Sequence, residues 1–212
     1  MLTAYKQRYL MTMQPLYDDL DVWEGIDPGN MWFFNKLQVS RYLGYKCGPA
    51  GIPVPEPARY VVRPCINLLG MGRGAEIKWL ENDTHELVEP GYFWCEEFIG
   101  RHISVDYTEG EPILAVEGLR DISDPLWKWL GWKRIDYAPP FPRICDQIVG
   151  HRPHINVEFI GDKVIEIHFR HNPDWKDVPD DVNTLIPVYK ETSDKHFMPN
   201  PEHKRLGFIL RK

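Results

Sequence analysis

Apolar and polar residues alternate over several short stretches in the middle of the chain, as they do in strands that bury one face. In the clearest case Ile103, Val105 and Tyr107 alternate with Ser104 and Asp106. Similar patterns predict strands over residues 60–63, 75–80, 93–99 and 113–119. Pro and Gly residues are spread between these segments as turn formers, which favours a single compact unit rich in sheet.

Helical signals are fewer. The segment WFFNKLQVSRYLG predicts a helix over residues 32–44 that ends in a glycine. The prolines of the following GIPVPEP exclude a helix there, because each one removes a backbone donor and restricts the residue before it. A second, short helix is predicted where Ile144, Cys145, Ile148 and Val149 form an apolar stripe.

The stretch HINVEFIGDKVIEIHFRHN predicts a hairpin and carries the most chemical information. Because side chains alternate along a strand, its first arm places Asn156 and Glu158 on one face. Its second arm places Glu166, His168 and Arg170 on one face. The loop between the arms decides which of these polar residues lie opposite each other.

Two loop lengths give different pairings of the arms. A two-residue turn at residues 161–162 would pair Glu158 with Ile165 and mix apolar with polar residues on each face. A three-residue loop at residues 161–163 would keep both faces nearly uniform, because it pairs Glu158 with Glu166, Asn156 with His168 and Phe159 with Ile165. We therefore predict the three-residue loop.

The predicted pairing sets two carboxylates directly opposite each other, with side-chain roots about 4.5–5.5 Å apart. Like charges so close are destabilising unless a cation or a shared proton lies between them. Mg²⁺ usually binds through one or two carboxylates together with substrate phosphates, so Glu158 and Glu166 predict a site for Mg²⁺ or Mn²⁺. A solvated hairpin face, with its charges spread apart by water, is the alternative.

Composition limits the classes of partner. The 25 Lys and Arg residues are outnumbered by 31 Asp and Glu residues, and the net charge of −6 works against a broad nucleic-acid or membrane footprint. Nucleic-acid binding through Trp127, Trp129 and Trp132 is a further alternative to packing of these rings. The four cysteines lack zinc-site spacing, and neither a signal peptide nor a long apolar run is visible, so we expect a cytoplasmic protein.

Glycines at positions 70, 72 and 74 follow a predicted strand, where backbone amides could approach phosphate oxygens. The Gly-Lys-Ser/Thr of a Walker loop does not follow them, and a strand is predicted where a dinucleotide fingerprint would open a helix. Taken in order, NKLQVSRYLG, GIPVPEP, YVVRPCINLLGMGRG, WCEEFIGRHISVDY and VEFIGDKVIEIHFRHN resemble the ATP-grasp superfamily over roughly residues 35–172.

The resemblance implies an α+β, ATP-grasp-like fold, in which two small lobes with antiparallel sheets clamp a nucleotide cleft. It implies ATP and Mg²⁺ (or Mn²⁺) as cofactors. The implied nucleotide contacts are Arg63, Gly70, Gly72, Arg73, Gly74, Glu96, Glu97, Phe98, Ile99 and His102. The implied metal ligands are Glu158, Glu166 and His168, and the implied catalytic residues are Arg63 and Arg170.

This sequence departs from the family pattern at three of these positions. Arg63 stands where lysine is usual, His102 where a ribose-binding glutamate is usual, and His168 where a metal-contacting asparagine is usual. Imidazole is a less natural ligand for Mg²⁺ than an amide oxygen.

The implied activity is that of an ATP-dependent ligase, which joins a small-molecule carboxylate to an amine through an acyl phosphate. A non-catalytic nucleotide-binding or interaction protein, with a protein partner or as a homo-oligomer, is the alternative. We divide the chain into an N-terminal segment of open role (residues 1–31), an ATP-grasp-like core (32–172) and a C-terminal extension (173–212).

Overall fold

The computed structural model describes residues 16–66, 70–82, 84, 86–146 and 152–212. In these residues it contains two α-helices and twelve strands. The helices are α1 (Asp19–Gly25) and α2 (Lys36–Tyr42), and the strands are β1 (Cys47–Pro49), β2 (Ala58–Pro64), β3 (Glu76–Leu80), β4 (Tyr92–Glu96), β5 (His102–Thr108), β6 (Glu111–Leu119), β7 (Gly131–Arg134), β8 (His154–Ile160), β9 (Lys163–His168), β10 (Thr184–Val188), β11 (Phe197–Glu202) and β12 (Arg205–Arg211). Short 3-10 turns cover Pro28–Phe34, Arg143–Cys145 and Pro173–Trp175.

The strands form two antiparallel sheets. The small sheet has the order β1-β4-β2-β3, and the large sheet has the order β11-β12-β10-β7-β6-β5-β8-β9. The predicted α+β class with two antiparallel sheets is confirmed. The last three strands lie in the same sheet as the β8–β9 hairpin, so the C-terminal part of the chain is built onto the sheet that carries the two carboxylates.

The predicted strands are all present, with ends that differ by a few residues. The largest difference is in β4, which ends at Glu96 instead of continuing to residue 99. The residues after Glu96 lie outside the strand and make side-chain contacts. Glu97 accepts a hydrogen bond from Arg59, and the ring of Phe98 packs edge-on against Tyr45.

The helix predicted over residues 32–44 is wrong in its first part. Phe33 and Phe34 lie in a 3-10 turn and are buried against the large sheet. Asn35 has an extended backbone and caps α2, because its side chain accepts a hydrogen bond from the backbone N–H of Gln38 at 3.1 Å. Of the second predicted helix, Ile144 and Cys145 lie in the 3-10 turn Arg143–Cys145, and residues 148 and 149 lie outside the described residues.

The β8–β9 hairpin has the two-residue turn of one alternative and the carboxylate pairing of the other. Ile160 pairs with Lys163 and Phe159 with Val164, as a two-residue turn requires. A β-bulge then follows, and beyond it Glu158 pairs with Glu166. The predicted carboxylate pair is confirmed, whereas the three-residue loop and its pairing of Phe159 with Ile165 are wrong. Ile165 is the extra residue that restores the register.

The large sheet is buried on both faces around this hairpin. On one face Val105, Ile155 and Val157 pack with residues from α1, α2 and the 3-10 turn between them. On the other face lies a layer of buried polar side chains: Ser104, Asp106, Asn156 and His168. Because buried polar groups need partners, this layer fixes the positions of the charged residues near it. No helix in the described part of the chain is long and apolar enough to span a membrane.

Candidate functional site

A cavity of about 900 Å³ lies between the two sheets, over the polar layer of β5, β8 and β9. Most residues predicted to form a site line it: Arg63, Gly70, Gly72, Arg73, Glu96, Glu97, Phe98, His102, Glu158, Glu166, His168 and Arg170. Two predicted residues do not line it. Gly74 lines a second cavity next to this one, and the side chain of Ile99 is 86% exposed.

The two carboxylates are held by fixed cations. Oε1 of Glu166 lies 3.2 Å from Nζ of Lys36 and 3.3 Å from Nε2 of His168. Burial alone would raise the pKa of Glu166, but Lys36 and His168 outweigh it and hold the pKa well below its usual range. Burial opposes ionisation of Glu158 as well, but a 3.0 Å hydrogen bond with His102 helps to lower its pKa. The pair is therefore ionised, and its repulsion is offset by neighbouring side chains.

His168 lies among three carboxylates. Its Nδ1 is 3.2 Å from Asp19, and its Nε2 is 3.3 Å from Glu166 and 4.0 Å from Glu158. Burial and the nearby Arg170 would lower the pKa of His168, but Asp19 and Glu166 raise it to about 9. The ring is therefore an imidazolium at neutral pH, with both nitrogens acting as donors.

Asp19 orders the outer part of this cluster. It is in the first turn of α1, and its carboxylate also accepts a hydrogen bond from Nη2 of Arg170 at 2.8 Å. Burial would raise the pKa of Asp19, but His168 and Arg170 lower it to about 2. The charge of Arg170 is thus already matched by a carboxylate.

Arg63 reaches from β2 across to the large sheet. Its Nη2 donates to the backbone carbonyl of Ile165 at 3.0 Å, and its guanidinium lies 5.2 Å from the ring centre of Phe93. Its Nε is buried and has no hydrogen-bond partner among the described residues, and the same holds for Nε of Arg73. Buried donors without partners are uncommon and costly, so these two guanidinium groups are suited to an anion in the cleft.

The glycine loop contains residues with left-handed backbone conformations. Met71 and Gly72 have φ values of 59° and 64°, in the left-handed region that exposes successive backbone amides. The C-terminal hairpin covers the start of this loop: a Cβ at Gly70 would lie 1.7 Å from Oε1 of Glu202. Arg205, beside Glu202, is buried. Its Nη2 and Nη1 donate to the two carboxylate oxygens of Asp174, at 2.7 and 2.9 Å.

The residues implied for the nucleotide base line one side of the cleft. Glu97 is paired with Arg59, and Oε1 of Glu96 accepts from the backbone N–H of Lys46 at 2.8 Å. The ring of His102 packs edge-on against Trp129 and Trp132, at 4.8 and 5.6 Å. These two tryptophans therefore form a packing cluster at the cleft wall, which leaves Trp127 as the more distant ring.

Sequence reasoning missed Lys36 and Asp19, the two residues that neutralise the acid pair and the imidazolium. The site position of Lys36 follows from the start of α2, where its backbone N–H donates to the carbonyl of Cys65 at 2.7 Å. This bond ties α2 to the end of β2, beside the hairpin. Asp19 lies 149 residues before His168, and no local pattern links the two. Asp106 was assigned only as the polar face of a strand.

A divalent ion that enters with a nucleotide fits the acid pair by donor chemistry. Two carboxylates and phosphate oxygens are usual ligands of Mg²⁺. The contacts of Glu166 with Lys36 and His168 both use its Oε1 and not its Oε2. A protonated His168 has no lone pair to give to a metal. Among the described residues, no group of three or more His, Cys, Asp or Glu is arranged to hold a metal ion.

Comparison with known proteins gives matches among solved structures. No family model matches the chain. No curated protein matches it. The chain is similar to a protein of Archaeoglobus fulgidus that is a proposed member of the ATP-grasp superfamily (13% identity, TM-score 0.46, 85% of this chain and 65% of that one). It is also similar to N5-carboxyaminoimidazole synthetase of Staphylococcus aureus complexed with ADP (16%, 0.39, 68% and 46%).

A third similar structure is the D-alanine–D-alanine ligase of Bacillus anthracis (14% identity, TM-score 0.37, 65% of this chain and 56% of that one). The chain thus spans 46–65% of the length of these three proteins. Another ATP-grasp ligase similar to it was solved with Mg and ADP. The solved structures named here are ATP-grasp proteins.

Proposed function

We propose that this chain binds ATP between its two sheets and uses it to join a carboxylate to an amine. The proposal rests mainly on the unpartnered Nε atoms of Arg63 and Arg73, which line the same cavity as the ionised pair Glu158 and Glu166. A polyphosphate would give both guanidinium groups an acceptor. The glycine loop beside Arg73 would add backbone donors.

The reaction is an ordinary two-step ligation. An oxygen of the substrate carboxylate attacks the γ-phosphorus of ATP, and ADP leaves with the bridging oxygen. The amine nitrogen then attacks the carbonyl carbon of the acyl phosphate, so that phosphate leaves and the nitrogen loses a proton to solvent. Such chemistry depends on positioning and on stabilisation of developing negative charge, so no nucleophilic side chain is needed.

Each residue then has a role in that scheme. Arg63 and Arg73 would bind the phosphates and offset charge on the transferring group. Glu158 and Glu166 would hold a Mg²⁺ ion that arrives with the nucleotide, and that ion would neutralise phosphate charge. Lys36 keeps Glu166 ionised and in place. We propose that His168 acts as a cation between the carboxylates and ligates a metal only after losing a proton.

Thermal shift with ATP tests nucleotide binding, because a ligand that binds only the folded protein raises its melting temperature. We expect a shift with ATP that is larger with Mg²⁺ than with a chelator. Arg63→Ala should weaken ATP affinity roughly tenfold to hundredfold, since a hydrogen bond to a charged group is lost. Arg41→Gln, at an exposed position of α2 outside the cavity, is the matched control. Equal affinity of the Arg63 variant and the parent would remove Arg63 from the site.

A non-catalytic nucleotide-binding protein is the second candidate. It is favoured by one observation, that Lys36 and His168 already neutralise the carboxylate pair without a metal. ADP release with panels of carboxylates and amines separates the two functions. ATP binding without ADP release in any combination would favour the second.

A further inference from the structure

A second cavity, of about 950 Å³, lies at the outer end of the cleft between the sheets. Arg73, Arg120 and Leu126 line both cavities, so the two are continuous. The small sheet contributes Arg59 and Trp79, which are paired across β2 and β3 and therefore lie on one face. Of the residues proposed to bind the nucleotide, only Arg73 and the adjoining Gly74 line this outer part.

The outer cavity is lined by cations whose charge is incompletely matched. Arg73 and Arg120 have no carboxylate within 4 Å among the described residues, although Arg59 is paired with Glu97. The acids at the rim are already paired with lysines: Glu76 with Lys78 at 3.3 Å, and Asp124 with Lys128 at 2.6 Å. The chemistry of the lining therefore suits an anionic ligand.

Aromatic side chains and an open backbone edge are present on the same surface. The Trp79 side chain is 58% exposed, and Trp127 carries the ammonium of Lys204 at 5.0 Å from its ring centre. The strand β3 is the last strand of the small sheet, and no described strand pairs with its outer edge. An unpaired edge offers backbone donors and acceptors to another extended chain.

We propose that the outer cavity binds an extended peptide segment with acidic side chains, which runs along β3 and leads a carboxylate into the cleft. This proposal rests on the proposed function, because that carboxylate would be the one the ligase activates. A peptide matches both features of the surface: its backbone can pair with β3, and its carboxylates can meet Arg59 and Arg120. A nucleic acid has no peptide backbone that can pair with a strand edge.

Fluorescence anisotropy tests the proposal without nucleotide. The probe is a fluorescein-labelled peptide of alternating Glu and Val, compared with a peptide of alternating Gln and Val and with a labelled oligothymidylate of similar length. We expect the Glu peptide to bind at least tenfold more tightly than either. Equal binding of the Gln peptide, or tighter binding of the oligothymidylate, would overturn the proposal.

Paired variants localise the binding. The double variant W79A/R59Q changes residues that line the outer cavity and not the nucleotide cleft, and should weaken Glu-peptide binding at least tenfold. The matched control R41Q/Y42A changes an exposed arginine and a neighbouring aromatic residue outside both cavities and should bind as the parent does. Unchanged binding by W79A/R59Q would refute the site.

Thermal shift with ATP on the same proteins separates the two proposals. A parent that binds ATP but not the Glu peptide refutes the peptide site and leaves the proposed function intact. A parent that binds the Glu peptide at this surface but not ATP refutes the proposed function and leaves a peptide-binding surface.

Discussion

Nη2 of Arg63 in the small sheet donates to the backbone carbonyl of Ile165 in the large sheet, at 3.0 Å. Ile165 is the extra residue of the bulge in β9, which the ladder with β8 leaves unpaired. The hydrogen bond therefore joins the sheets across the floor of the cleft, at the point where the hairpin restores the register of its two acids.

Arg63→Met should lower the free energy of unfolding by about 1–3 kcal/mol, because the Ile165 carbonyl loses its charged donor while remaining buried. Urea denaturation measures this, with Arg41→Gln as a surface control. A loss below about 0.5 kcal/mol, the usual range of surface substitutions, would show that this hydrogen bond does not hold the sheets together.

Glu166→Gln should destabilise the protein more than Glu158→Gln does. Removing the charge of Glu166 leaves Lys36 and His168 buried with less compensation, a loss on the order of 3 kcal/mol. The Glu158 side chain is 25% exposed, and an amide can still bond His102, so its loss should be below about 1.5 kcal/mol. Thermal and urea melts of both variants provide the comparison. If Glu166→Gln stabilises the protein instead, repulsion between the acids outweighs their cation contacts.

Asp106 should make stability fall as pH rises from about 4 to 6. Burial raises its pKa to about 6 against the opposing effect of donors from Asn156 and Asn172. The folded protein therefore keeps this proton after the unfolded chain has lost it, and the neutral carboxyl is the stabilising form. The total stability lost between about pH 4 and 6 is about 3 kcal/mol, from a shift of roughly two pKa units.

Asp106→Asn tests that assignment, because its amide oxygen can still accept both hydrogen bonds but cannot ionise. We expect a flatter stability profile between pH 4 and 6 and a gain in stability at pH 7.5. Asp136→Asn, at an exposed position, is the control. An Asp106→Asn protein that keeps the slope of the parent would show that another group titrates in this range.

Gly70→Ala should force Glu202 away from the glycine loop, since the new Cβ would lie 1.7 Å from its carboxylate oxygen. The side chain of Glu202 is flexible at that end, so we expect a modest cost of about 1 kcal/mol. The cost should largely disappear in a Glu202→Ala background. A double-mutant cycle of urea melts measures this coupling, and independent effects of the two changes would contradict the contact.

The sequence predicted the strands and the acid pair well because both depend on local alternation. When Val157 and Ile167 are both buried on one face, Glu158 and Glu166 lie together on the other. Lys36 was harder to predict from the sequence. Its position depends on a backbone hydrogen bond to Cys65 and not on the pattern of its own helix. We predicted a helix at Phe33 and Phe34, which form a 3-10 turn. Their conformation depends on packing against distant residues of the large sheet, which the local sequence does not show.

The resemblance to the family rested on the order of the motifs. The structure shows which of the residues implied by that order lie close together. Most residues it implied line one cavity, although Ile99 and Gly74 do not. Their roles in binding stay predictions. Asp19 and Glu202, from the two ends of the chain, reach the same cavity and match none of the motifs used.

The bulge at Ile165 also determines how relatives of this hairpin should be sought. Removing Ile165 would leave Val164 opposite Phe159 and bring Glu166 directly opposite Glu158 in an uninterrupted ladder, so both acids would keep their face. The same acid pair can therefore be encoded with either of two spacings, one residue apart. A search that requires a fixed interval between the acids would miss hairpins with the other spacing, whereas one that permits a single-residue gap after Val164 would retain them. A chain with the shorter spacing would lack the carbonyl that Arg63 uses, and we expect it to carry a different residue at that position.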